Sequence, residues 1–148
     1  MALNNGKVVA GGLVAGIVIN VVGYLVNGML LADRMKAEAD AFKPGMADAM
    51  MSSNAITVSV VSNLVMGLLL IYTYAAVRPR LGPGPRTAVT VAFLFWLVAS
   101  IVAVGFLQSG MMSWSLWWES ALFWLITLII AAVVGGKIYS EEGSPSTV

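Results

Sequence analysis

Between Val8 and Leu31 the chain runs for 24 residues, VVAGGLVAGIVINVVGYLVNGMLL, without one charged side chain. At about 1.5 Å per helical residue this stretch is roughly 36 Å long, more than a hydrocarbon core of about 30 Å requires. Lipid offers no hydrogen bonds to a backbone, so a stretch of this length and polarity crosses a bilayer as a helix. Lys7 in front of it gives the look of a signal peptide. The run is longer than a signal's apolar region and no small-x-small cleavage pattern follows, so it reads as a retained span.

Glycines and amides are set into one side of this span. Gly12 and Gly16 form a GxxxG pair, and steps of three or four continue to Asn20, Gly23 and Asn27. Such a stripe lets a second backbone approach closely, and its amides seek partners that lipid cannot supply. It serves either as a helix-packing face or as a notch for a ligand.

Three more apolar runs follow, at about 55–77, 88–107 and 116–139. The expected fold is therefore all-α, a single transmembrane domain over 1–148 with four helices in an up-down bundle. Composition agrees, since 59% of residues are hydrophobic, 10% are charged and mean hydropathy is +0.91. A formal net charge of +1 gives no basic surface for nucleic acid. The chain has no cysteine and no histidine. Disulfides, thiolate nucleophiles, cysteine-held zinc or iron–sulfur clusters and histidine-held haem are thereby excluded as chemistry of this chain's own side chains.

The polar stretch 32–54 looks helical in its first half. Arg34 with Glu38 and Lys36 with Asp40 have i,i+4 spacing, while Leu31, Met35 and Phe42 line another side. The first helix is expected to run on past the membrane surface to Pro44 and Gly45, and Ser52, Ser53 or Asn54 to cap the next one. Between the second and third spans, RPRLGPGPRT at 78–87 holds three arginines, three prolines and two glycines, which predicts a non-helical connection. Thr87 or Thr90 then starts the third span, and a polar tail occupies 140–148.

Basic residues set the orientation. Placing both termini inside puts Lys7, Arg78, Arg80, Arg86 and Lys137 on the cytoplasmic side, five of eight, and leaves Arg34, Lys36 and Lys43 outside. A bacterial-type inner membrane with N-in, C-in topology is expected.

Four groups of residues could carry function. Ser59, Asn63 and Gly67 recur at i, i+4, i+8 on the second span, and antiparallel neighbours would bring Asn20 and Asn63 to similar depth, as an amide clamp or a polar notch. Glu119 follows Trp114, Trp117 and Trp118 at an expected interface, where a helix N-terminus favours a carboxylate. Those tryptophans, with Trp96 and Trp124 inside the spans, fit an aromatic belt, and they could also contact a pigment or quinone. Met35, Met46, Met50, Met51, Met111 and Met112 gather on the outer side. Thioethers are soft ligands for Cu(I), although methionine is more commonly adaptable packing.

Shifting the first span by 82 residues lays Gly23-Tyr24-Leu25 on Gly105-Phe106-Leu107 and Gly28-Met29 on Gly110-Met111. Two like-oriented hairpins would give such a match, and so would the shared composition of apolar, glycine-containing helices.

A glycine-rich first span with a mid-span Asn20, the run SNLVMGLLL around Asn63, and a basic Pro/Gly turn before the third span together resemble the small four-helix bacterial inner-membrane proteins grouped in families of unknown function. The resemblance implies a fold and no activity. From the residues, the expected role is a non-catalytic accessory or scaffold subunit packed against a larger membrane complex, respiratory or photosynthetic. Alternatives are a small homo-oligomeric transporter or channel with an asparagine-lined site, and a copper-handling protein using the outer methionines. No cofactor is expected beyond bound lipid and the pigment or quinone contact. The partners expected are the bilayer, other membrane subunits or a second copy.

Overall fold

In the computed structural model, residues 3–139 are described, and the tail read at 140–148 lies outside them. Among the described residues there are only helices and short connections. Helix α1 covers Asn5–Leu25 and passes into a π-helical segment, Val26–Leu30. Two polar helices follow, α2 (Ala32–Phe42) and α3 (Met46–Met50). Then come α4 (Ser53–Leu81), α5 (Pro85–Gln108) and α6 (Trp114–Ile138). Four helices are long and apolar enough to cross a membrane, with α1 counted together with its π segment. The fold is that of an all-α four-helix membrane protein.

Helix α1 is the centre of the bundle. It packs against α4 on one side and α6 on the other, and α5 lies against α6 with a smaller contact to α4. Glycines make these approaches close. A Cβ on Gly12 would stand 2.7 Å from the Leu68 Cα, and one on Gly16 would stand 2.7 Å from the Leu64 Cα. Opposite them, the backbone of Gly12 and Gly16 occupies the place where Gly67 would carry a side chain. Toward α6, a Cβ on Gly11 would meet the Gly135 carbonyl oxygen at 2.6 Å. Two backbones therefore flank α1 at near-contact distance, an arrangement that only glycine allows. Around them the core is built from Ala15, Ile19, Leu70, Ile71, Tyr74, Ala75, Val91, Leu128, Ala131 and Ala132.

Several boundaries differ from the sequence reading. The first helix does not run straight to Pro44: it widens at Val26–Leu30, where the Leu31 N–H donates to the Val26 carbonyl at 2.8 Å, and α2 starts anew at Ala32. Lys43 and Gly45, the latter at φ +81°, then end α2. Among the predicted caps, Ser52 is the one used, its hydroxyl accepting from the Ala55 N–H. The arginine-proline connection is also shorter than expected, because α4 continues through Arg78, Pro79 and Arg80 to Leu81 and α5 begins at Pro85. Pro79 gives up the hydrogen bond its N–H would make to the Ala75 carbonyl, yet the helix carries on for two more residues. The break comes at Gly82 and Gly84, whose φ values of +83° and +119° suit no other residue. Thr87 does not start α5 either; its hydroxyl donates to the Gly82 carbonyl at 2.7 Å and ties down the turn.

The 82-residue shift does not carry over to packing. The positions equivalent to Gly12 and Gly16 are Leu94 and Val98, both exposed on α5.

Candidate functional site

The small-residue stripe of α1 divides in two. Gly12, Gly16 and Asn20 are spent on α4, where Asn63 Nδ2 donates to Asn20 Oδ1 at 3.0 Å. The Asn20 amide in turn donates to the Gly16 carbonyl at 3.0 Å and the Val60 carbonyl at 3.3 Å. These two asparagines are thus a clamp between helices, joined beside the Gly67 contact. Ser59 does not share in it and is exposed. Nine of the ten residues over 53–62 of α4 are exposed, so little of the bundle covers this end of the helix.

Gly23 and Asn27, further along the stripe, face a different neighbour. They border a pocket of about 180 Å³ between the end of α1 and the first half of α6. Gly23, Val26 and Asn27 line one wall, and Ser120, Phe123, Trp124 and Thr127 the other. A Cβ built on Gly23 meets nothing within 4 Å, so the glycine leaves open room here. The π segment supplies the other half of that room, since its wider turn carries Val26 and Asn27 into the wall. π-Helical turns within α-helices occur frequently at functional sites. The Asn27 side chain is exposed and makes no hydrogen bond among the described residues. Ser120 Oγ is buried and likewise has no partner, in contrast to Thr127, whose hydroxyl donates to the Phe123 carbonyl at 2.8 Å.

Above the pocket, the polar stretch folds down as a cap. Arg34 forms an ion pair with Glu119 and donates to Ser115 Oγ at 2.9 Å. Glu38 accepts from the Ser113 N–H at 2.7 Å and the Ser113 hydroxyl at 2.6 Å. Asp40 accepts from the Ala47 N–H at 2.9 Å, at the start of α3. The i,i+4 pairs read from sequence are therefore not the ones formed, because Arg34 and Glu38 reach residues at the start of α6 and Asp40 turns to the start of α3. Beneath the cap, Val26, Leu31 and Leu116 pack with Met35 and Met112.

The tryptophans separate by role. Trp114 and Trp118 are exposed, whereas Trp117 is 8% exposed and turned inward, against the expectation that all three face the interface. It packs edge-on to both neighbours, at ring-centroid distances of 6.0 and 4.7 Å. At 100° per residue the three lie within a 100° arc of α6, with Trp117 at the edge of that arc, 60° from Trp114 and 100° from Trp118. Trp96 donates its indole N–H to the Ala121 carbonyl at 2.7 Å and fastens α5 to α6.

The methionines expected on the outer side are divided among packing, groove and surface. Met112 joins the packed cluster, Met111 and Met112 border an open groove with Glu38 and Phe42, and Met46 is half-buried. Met50 and Met51 are exposed. Among the described residues, no group of three acidic side chains gathers as a metal cradle.

At the opposite end, Arg78 lies 5.4 Å from the Tyr139 ring centroid, and Tyr139 packs edge-on to Tyr74. The Tyr74 hydroxyl accepts the Gly84 N–H at 3.1 Å, so this aromatic pair steadies the turn between α4 and α5.

Sequence reasoning missed Gly11, Ser120, Phe123 and Thr127 as wall or packing residues, and it left Arg34 without its long-range partner. Only the pairing of spans could have revealed them, since none carries a distinguishing spacing. A scan against protein-family models found no match, and searches of curated proteins and of solved structures also found none.

Proposed function

We propose that the chain is a non-catalytic accessory subunit of a bacterial-type inner membrane, with both termini cytoplasmic, that packs against a larger membrane complex. The observation that carries this reading is the cap. A 22-residue polar connection, 31–52, is held down by the Arg34–Glu119 and Glu38–Ser113 contacts instead of being left to solvent. It presents Phe42, Met50 and Met51 together with Trp114 and Trp118 of the α6 start, all of them large apolar side chains exposed at the outer end. Aromatic residues and methionine are enriched at protein interfaces, and an ordered surface costs less entropy on binding than a loose loop. The Gly12, Gly16 and Asn20 part of the stripe is used within the bundle, and the cap offers an ordered surface to a partner.

The test is photo-crosslinking in native membranes, from positions 51 and 118 and, for comparison, from the buried position 132. A single stoichiometric partner captured from 51 and 118 is the expected result. Purification in mild detergent of the chain alone, with crosslinks only to lipid, would count against the proposal.

A homo-oligomeric transporter is the second reading. It rests on Asn27, the one asparagine of the three beside an open pocket. Solute flux in proteoliposomes that falls with Asn27→Leu and not with Asn63→Leu would favour it.

A further inference from the structure

We propose that the pocket between the π segment and α6 is a binding site for the head ring of an oxygen-bearing aromatic or quinonoid amphiphile entering from the membrane. Size is the first argument. A cavity of roughly 150 Å³ accommodates benzene, so a half-open pocket of about 180 Å³ has room for a single substituted ring. Chemistry is the second. Phe123 and Trp124 offer aromatic faces, and aromatic pairs prefer stacked or edge-to-face contact. Two hydrogen-bond donors without partners, the Asn27 amide and the buried Ser120 hydroxyl, stand in the two facing walls and suit a carbonyl or hydroxyl oxygen on that ring.

Depth is the third argument. Ser120 follows Glu119, which pairs with Arg34 in the cap, while Thr127 lies about two helical turns deeper along α6. The polar end of the pocket thus lies at the interface and the apolar end within the hydrocarbon. An amphiphile whose ring carries an apolar tail has that same polarity. The π segment and Gly23 are then one device: the wider turn and the missing side chain together make room for the ring, and a ring oxygen satisfies groups that would otherwise be left unpaired in lipid.

The experiment uses the full chain in phosphatidylcholine nanodiscs, with duroquinone as probe and quenching of tryptophan fluorescence as readout. A saturable component is expected in the natural chain, weakened at least tenfold in Gly23→Leu, which fills the pocket, and at least threefold in Ser120→Ala. Because a side chain at position 23 meets open space, the variant should keep its helical circular dichroism; Gly23→Ala, expected to weaken binding less, serves if it does not. Durene, the same ring with its oxygens absent and itself no quencher, is read by competition: it should displace the saturable duroquinone quenching with an affinity at least tenfold weaker than duroquinone's own, once its partitioning into lipid is subtracted. Linear quenching of equal slope in all variants, as for a pocket filled only by acyl chains, would overturn the proposal. Equal saturable binding of durene and duroquinone would overturn the polar part of it as well.

Discussion

Asn63 donates its side-chain amide to the Asn20 carbonyl oxygen, and Asn20 passes its own amide to the Gly16 and Val60 carbonyls, so one short chain of hydrogen bonds joins α1 to α4. Only one Asn63 contact links it to this chain, whereas Asn20 bonds to both helices. Asn63→Leu should therefore destabilise the bundle by about 0.6–1.7 kcal/mol, from the average to the largest value found for interhelical hydrogen bonds in membranes, and Asn20→Leu by more. Denaturation in mixed micelles, followed by circular dichroism, measures both. Equal and negligible effects would mean that the clamp adds nothing to packing.

The glycine contacts predict a sharper contrast. Gly67 faces the backbone of Gly12 and Gly16, and backbone cannot give way as a flexible side chain can. Gly67→Ala should cost about 1–3 kcal/mol through overpacking. Gly105→Ala, at a position where a Cβ meets nothing within 4 Å, should be neutral or stabilising by up to about 1 kcal/mol, the helix-propensity gain. Thermal unfolding of the two variants side by side tests the pair, and a Gly67→Ala protein as stable as the natural chain would contradict the close approach of α1 and α4.

How far these features were legible beforehand depends on their range. The spans themselves follow from hydropathy, because lipid forces any long apolar stretch into a helix. The Asn20–Asn63 pairing was within reach too, since two antiparallel spans of similar length fix the depth of their midpoints. What one span does to its neighbours was not legible. Gly23 and Asn27 continue the stripe of Gly16 and Asn20 in sequence, yet they border a pocket against α6, and the π turn that begins at Val26 and carries Asn27 has no local signature. The same holds for Arg34, whose i+4 partner Glu38 is close in sequence while Glu119 is close in space.

That ion pair is exposed on both sides, at 44% and 43%, so its contribution to global stability is small. Exposed pairs are worth about 0.2–1 kcal/mol and weaken with salt. Local order is the better readout. Arg34→Gln should raise amide hydrogen exchange across α2 with little change in unfolding midpoint. The exchanged pair, Arg34→Glu with Glu119→Arg, should restore protection. Protection that is unaffected by either variant would show that the Glu38–Ser113 contact holds the cap unaided.

The turn between α4 and α5 gives the last prediction. Gly84 has φ +119°, its N–H donates to the Tyr74 hydroxyl, and Tyr74 is 3% exposed. Removing that hydroxyl in Tyr74→Phe leaves the half-buried Gly84 N–H to find another partner, a loss of about 0.5–1.5 kcal/mol, the net value of an ordinary hydrogen bond. Tyr74 also packs edge-on against Tyr139, and the phenylalanine ring keeps that contact. The variant should thus lose stability without loosening α6, whereas Tyr74→Ala should do both, the second by opening the space beside Gly136. Hydrogen exchange at residues 84–88, compared with that at 131–136, separates the two effects. Faster exchange at the turn alone is expected for Tyr74→Phe, and equal acceleration at both places would assign the role to the ring and not to the hydroxyl.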